Sequence, residues 1–375
     1  MEATRKQWGE PPWRQSVEGR GFATSPGDSA TPDVAIVGGG LTGLSTALHL
    51  AKFGVRAVVF DAGSMADGAS GRTGGLVLEG TAAGPLDQVS RCILTLEKLV
   101  NQERIDCDLG LPGCWVIEHR RIPSGDELPW SDDGKRISIK KTISGGVVQP
   151  LMLTLGIAEA AVRAGAVIRE YALARNVQLS PHLAIEVEGQ RISPGYLVIA
   201  ANAWISSVIG LPIPLRSSLT FATITEPLER ALMAEVRLDQ GIPFYTSDTP
   251  YLWGRTTAEE RVIFGSGLVF GTPSESEAAD IRSGDSARVI ESLHKRVRGL
   301  NPALAKVKFS SSWGGPIAST KDYIPLLGRH PESARAIVAG GYAGQGVALS
   351  VRVGELIALA ITDGRALPEW GRLDR

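Results

Sequence analysis

The chain has 375 residues, a formal net charge of −1, three cysteines and five histidines. That length exceeds one typical domain, and the balanced charge argues against a nucleic-acid groove or a polybasic membrane patch. Cys92, Cys107 and Cys114 lie in no CxxC and the histidines in no metal-ligand spacing, so we expect reduced thiols, a cytoplasmic protein and no metal.

Residues 1–32 carry Trp8, Trp13, prolines and glycines without periodicity. They read as an extended arm pinned to the body by its tryptophans, or as a partly disordered leader; no apolar core marks a secretory signal. Nowhere does an apolar run approach the roughly twenty residues of a membrane span.

Residues 33–61 read DVAIVGGGLTGLSTALHLAKFGVRAVVFD. The pattern predicts a strand over Val34–Val37, a glycine turn, a helix with apolar Leu44, Ala47, Leu48 and Ala51, a stop at Gly54, and a second strand ending on Asp61. The glycines have distinct duties in a dinucleotide site. Gly38 makes the tight turn, Gly40 lets backbone approach a pyrophosphate, and Gly43 lets the helix pack closely on the strand. The helix start offers N–H groups to phosphate, and Asp61 can accept from ribose hydroxyls. Six glycines between residues 62 and 80 then rule out a good helix and suggest a close-contact loop in which Ser70, Arg72 and Thr73 wrap a cofactor.

Residues 85–109 have helical periodicity, and 110–141 alternate short strands with turns, as in a sheet of their own. A helix is expected over 152–164, then a hairpin, then a twice-buried central strand over Tyr196–Ala200. Residues 215–310 supply further strands and a polar helix over Ala278–Val297. The chain closes with WGGPIASTKDYIPLLG, the strand AIVAGG and GYAGQGVALS leading into an apolar helix. The fold class is α/β: a Rossmann-like dinucleotide domain interleaved with a mostly antiparallel β-sheet domain. We expect 33–84, 145–214 and 308–375 in the first, and 85–144 and 215–307 in the second.

Four blocks in order (VAIVGGGLTGLSTALHL…VVFDAG, GASGRTGG, LVIAANAW and WGGPIASTKDYIPLLG…VAGGYAGQGVALS) carry a resemblance. The chain resembles the D-amino-acid oxidase, glycine oxidase and sarcosine oxidase class of FAD-dependent oxidoreductases, especially its amine-oxidising branch near gamma-glutamylputrescine oxidase. The resemblance implies that Gly38, Gly40, Leu41, Thr42, Gly43, Asp61 and Ala62 hold or shape the ADP site. It places Ala69, Ser70, Arg72, Gly74, Gly75 and Leu76 along the ribityl chain and flavin, the backbone of Val177 at the adenine, and Ala200, Asn202 and Trp204 near the cofactor. Gly341, Tyr342, Gly344, Gln345, Gly346 and Val347 would form the turn whose N–H groups meet the flavin N1/C2=O edge. Tyr251, Trp253, Trp313 and Tyr342 could wall a substrate pocket, or serve as ordinary core aromatics.

Departures from the family also speak. Trp313–Gly314–Gly315–Pro316 occupy the region where glycine and D-amino-acid oxidases place a carboxylate-binding arginine. Ala348 stands where sarcosine oxidases use a lysine, and Gln345 replaces the usual histidine. No residue for a covalent flavin link is recognisable, so FAD should be held non-covalently. The implied reaction is hydride transfer from an amine's α-carbon to flavin N5, giving an imine that hydrolyses. The partners are a small-molecule amine and an electron acceptor, oxygen or another. Alternatives are a D-amino acid or 2-hydroxy acid dehydrogenase on the same fold, or a catalytically weak FAD-binding subunit of a hetero-oligomer.

Overall fold

Four β-branched or small residues, Val34–Val37, form a fully buried strand whose parallel neighbours are Ala57–Phe60 on one side and Tyr196–Ile199 on the other. The structure, a computed structural model, describes residues 7–17, 31–120, 126–209, 215–271 and 279–374. Outward from this centre the six-stranded sheet adds Val167–Arg169 at one edge, and Ser333–Gly340 then the antiparallel Leu326–His330 at the other. The order is that of a doubly wound sheet, with the glycine turn at the carboxyl end of its central strand. On one face pack the helices Leu41–Lys52, Pro150–Arg163 and Gly346–Thr362. Two of them approach closely: a Cβ on Gly354 would lie 2.6 Å from the Ser45 Cβ. A three-stranded sheet over 174–192 covers the opposite face.

The second layer is an eight-stranded sheet, ordered Phe309–Ser319, Arg216–Thr225, Val262–Phe270, Trp253–Thr256, Phe244–Thr246, Cys114–Arg120, Lys135–Ile143 and Glu127–Asp132. Every pairing is antiparallel except that of Phe244–Thr246 with Cys114–Arg120. Residues 309–319, expected with the dinucleotide domain, add here as an edge strand because they pair along ten positions of Arg216–Thr225. The long polar helix covering this sheet runs from Gly284 to Leu300. It starts later than expected because Asp280 turns the chain by accepting the Arg282 N–H at 2.8 Å; Ala278 lies outside the described residues.

The arm over residues 7–17 is pinned by its tryptophans. Trp8 is fully buried and stacks on Trp204 at 6.4 Å, while Trp13 meets Trp313 edge-on at 5.4 Å. Backbone bonds from Gly314 N to Trp8 O (2.7 Å) and Ile281 N to Gln7 O (2.9 Å) fix its path. The three cysteines are buried and unpaired, and burial pushes each thiol up to about 12. Among the described residues no helix is long and apolar enough to cross a membrane.

Candidate active site between the two sheets

One cavity of about 1560 Å³ lies between the carboxyl ends of the parallel strands and the eight-stranded sheet. It exceeds the roughly 300–1,000 Å³ of a drug-sized pocket and has room for a dinucleotide beside a small substrate.

Its first wall is backbone. Gly38 has φ +114°, and a Cβ there would lie 2.6 Å from Ala200 O, so the turn closes against the end of the neighbouring strand. Gly40, Leu41 and Thr42 border the cavity at the start of the 41–52 helix, with the Leu41 N–H donating to Ser70 Oγ at 3.0 Å. Gly43 does not border the cavity: an added Cβ would sit 2.0 Å from Gly38 O, so this glycine sets the helix–turn spacing. Asp61 and Ala62 border it too. The Asp61 carboxylate accepts from Gly39 N (2.7 Å) and Gly63 N (2.8 Å), which fixes it at the strand end.

The glycine-rich loop continues this wall through Ala69, Ser70, Arg72, Gly74 and Leu76. Gly75 (φ +79°) turns away, its missing Cβ facing Val148 O at 2.1 Å. Ala200, Asn202 and Trp204 follow, and Asn202 Oδ1 accepts from Gly341 N at 3.0 Å, coupling two turns. Tyr342, Gly344, Gln345, Gly346 and Val347 border the cavity where the 346–362 helix begins; Gly341 lies behind them. Tyr342 and Thr42 hydroxyls meet at 2.7 Å, and burial pushes the phenol up to about 12. Val177 packs into the apolar layer outside the sheet, while its neighbours Arg175 and Asn176 border the cavity.

The opposite wall is built by register. Lys141 pairs with Val116, Val116 with Tyr245, Tyr245 with Trp253, Trp253 with Gly265, Gly265 with Ala222, and Ala222 with Trp313. Paired residues share a face, and all of these except Gly265 border the cavity. The Trp253 indole lies between Gly265 and Gly74, whose added Cβ atoms would come within 2.0 and 2.1 Å of it. Trp313 is 1% exposed and its Nε1–H donates to Arg72 O at 2.9 Å. Tyr251 also borders the cavity, but its hydroxyl donates to Gly267 O (2.7 Å) and meets Thr220 Oγ1 (2.8 Å). Sequence reasoning missed Lys141, Tyr245 and Asp248, since nothing local in RISIKK or FYTSD separates a wall residue from its outward neighbour.

The buried arginines are occupied. Arg72 donates to the carbonyls of Asp67 (3.0 Å), Gly9 (2.8 Å) and Gly314 (3.2 Å) and lies over the Trp8 ring. Arg255 donates to Gly74 O at 2.5 Å beside the Trp13 ring, and burial pulls its pKa down to about 10. At the cavity rim, Asp248 Oδ1 lies 2.9 Å from His119 Nδ1. His119 Nε2 lies 2.7 Å from Asp132 Oδ2, and Arg296 Nε sits 3.0 Å from that same oxygen. Arg296 further donates to Tyr251 O (2.8 Å) and Pro250 O (2.7 Å), so this chain of polar side chains holds the loop at 248–251.

Known proteins match this architecture. Gamma-glutamylputrescine oxidoreductase of Escherichia coli (strain K12) is 26% identical over 88% of this chain and 84% of that protein. Glycine oxidase of Geobacillus kaustophilus (strain HTA426) is 25% identical over 87% of this chain and 92% of its own length. The crystal structure of glycine oxidase from Geobacillus kaustophilus superposes with a TM-score of 0.70 at 22% identity, covering 89% of this chain and 95% of that one. Residues 33–138 and 142–360 match the family model described as FAD dependent oxidoreductase, and the chain belongs to that family.

Proposed function

We propose that this protein oxidises the C–N bond of an amine or N-substituted amino compound, with FAD held non-covalently across the cavity. The carrying observation is the pairing of a glycine-lined wall of helix starts, ending on Asp61, with an aromatic wall whose polar atoms are mostly bonded to protein. FAD, when bound, supplies the acceptor for a hydride from the carbon beside the substrate nitrogen, and the resulting imine hydrolyses in water. Gly40 and Thr42 offer backbone N–H groups to the phosphates, Gly38 and Leu41 shape the turn with their own N–H groups bonded to Phe60 O and Ser70 Oγ, and Asp61 faces the ribose. Gly344–Gly346 present the start of a long helix to the flavin edge where negative charge grows during reduction. Trp253 and Trp313 keep that face dry. The two-domain division follows the two sheets, with the boundary after residue 319.

Small α-amino acids fit poorly in this reading. Arg72 and Arg255 are both committed to carbonyls, Gly315 has no side chain, and Ala348 is buried away from the cavity. An α-carboxylate would be desolvated there without a cation. The names of the relatives, one acting on a putrescine derivative and another on glycine, support the amino-compound class. The test is anaerobic bleaching of bound flavin by pools of amines, D-amino acids and 2-hydroxy acids. Bleaching by the amine pool is expected; bleaching by hydroxy acids alone, or by none, contradicts the proposal.

A further inference from the structure

We infer that Lys141 and Tyr245 form a carboxylate subsite at the far end of the cavity, so that the preferred amine carries a carboxylate several bonds from its reacting nitrogen. The inference rests on the amine-oxidising reading above.

Among the described residues four cationic side chains border the cavity: Arg72, Lys140, Lys141 and Arg175. Arg72 is bound to three carbonyls. Lys140 pairs with Glu118 at 3.2 Å. Arg175 belongs to the strand Ala174–Gln178, whose approach is tied to Asp61 by the Ala172 N–H to Asp61 O bond, so it lies at the dinucleotide end. Lys141, an exposed side chain on the sheet wall of the cavity, is the one of the four with no ion pair or hydrogen bond to another described residue and no place at the dinucleotide end.

Its placement is built by a bulge. Val116 pairs with Lys141 but Ile117 pairs with Ile139, which leaves Lys140 as the extra residue. Such an insertion shifts side chains between faces and recurs beside binding sites. Here it sets Lys141 in the cavity row Lys141–Val116–Tyr245–Trp253 while Lys140 is drawn to Glu118. Tyr245 is the second free group of this row. Unlike the hydroxyls of Tyr251 and Tyr342, its own has no partner among the described residues. A cation and a phenol O–H on one wall offer charge-assisted hydrogen bonds to a carboxylate.

The spacing sets the substrate's length. Trp253 packs on Gly74 of the cofactor loop and so marks the reacting end. Lys141 is three strands away in the same row, about 14 Å at the ~4.8 Å strand spacing. Part of that distance is covered by the lysine stem and the rest by the substrate. An α-carboxylate cannot reach; a carboxylate at the end of an alkyl or acyl chain can.

The test uses the FAD-loaded protein. Binding of hexanoate and hexanamide is read by tryptophan fluorescence and flavin absorbance. Flavin reduction is then compared for 6-aminohexanoate and 1,6-diaminohexane. Wild type should bind hexanoate at least tenfold tighter than hexanamide and favour 6-aminohexanoate. Lys141→Gln should erase that preference, a loss of about 10- to 100-fold that falls on Kd and KM rather than kcat. Tyr245→Phe should lose less, and Lys141→Arg should keep most of it. Equal binding of hexanoate and hexanamide, a preference that survives Lys141→Gln, or a stronger preference for the diamine would overturn the subsite. Hexanoate binding that depends on Lys141, with no amine reducing the flavin, would leave the subsite standing and remove the amine-oxidising reading instead.

Discussion

The two walls of the cavity are made in different ways. The glycine-rich wall is local: residues 38–42, 61–62 and 68–76 supply most of it, and what they present is largely backbone. The sheet wall is assembled from side chains on most strands of the eight-stranded sheet, from residues as distant as Lys141 and Trp313 joined only by register. The first wall therefore fails through sterics, when an atom added at Gly38, Gly43, Gly71 or Gly75 meets a backbone oxygen. The second fails through lost side-chain partners, in proportion to how deeply each is buried.

That contrast orders the mutational outcomes. Gly43→Val should have the largest effect, since even its Cβ would fall 2.0 Å from Gly38 O. The purified variant should carry no FAD; a variant loaded at one per chain would show that the turn tolerates side chains. On the sheet side, Asp132→Asn should come next. It leaves His119 and Arg296 facing a neutral amide in a site where the Asp132 side chain is 5% exposed, and breaking a buried charge network costs about 3–5 kcal/mol. Urea unfolding would read this directly, and a midpoint unchanged from wild type would remove the network from the account.

The same carboxyl makes a pH prediction. Burial alone would raise it, but Arg296 and His119 outweigh burial and hold it below the ordinary value of 3.8. A carboxyl depressed by folding adds stability that is present above its unfolded value and lost as pH falls through the folded one. Wild type should therefore lose stability more steeply than Asp132→Asn below about pH 4. Parallel acid-unfolding curves for the two would be the contrary outcome.

Smaller effects sharpen the backbone side. Asp61→Ala removes a carboxylate that anchors two N–H groups and faces the cavity. FAD affinity should fall by about 1.5–3 kcal/mol per charged hydrogen bond lost, read by titration of the apoprotein. The smallest change is Trp13→Phe, which deletes the 2.8 Å bond from Nε1 to Gly71 O behind the cofactor loop. A loss of about 0.5–1.5 kcal/mol in stability is expected from thermal unfolding.

How legible each part was follows from the same difference. Strand, turn, helix and acid at 33–61 are encoded within thirty residues, so the fold class and most of the glycine-rich wall could be read directly. The pinned arm was legible because tryptophans in an otherwise loop-like stretch have few other uses. Val177 was placed at the adenine through the family pattern as a backbone contact; its side chain packs in the apolar layer, and the left-handed backbone at Asn176 (φ +48°) breaks the strand's alternation, so that Arg175 and Asn176 both border the cavity. The strand 309–319 read as part of the final α/β unit because nothing local announces a partner ninety residues upstream. Lys141 was invisible for a sharper reason: its face depends on a one-residue bulge at Lys140, decided by hydrogen bonding with another strand. The hydrogen-bonded chain from Asp248 to Arg296 joins four segments, and no spacing in sequence foretells it.

The central claim is that one FAD spans both walls without a covalent bond. Titrating the apoprotein with FAD while following tryptophan fluorescence tests it most directly, because Trp204, Trp253 and Trp313 all border the cavity. Quenching that saturates at one FAD per chain, with all flavin released into the supernatant on acid precipitation, is the predicted result. Saturation by NAD in its place, or flavin that stays with the denatured chain, would contradict it.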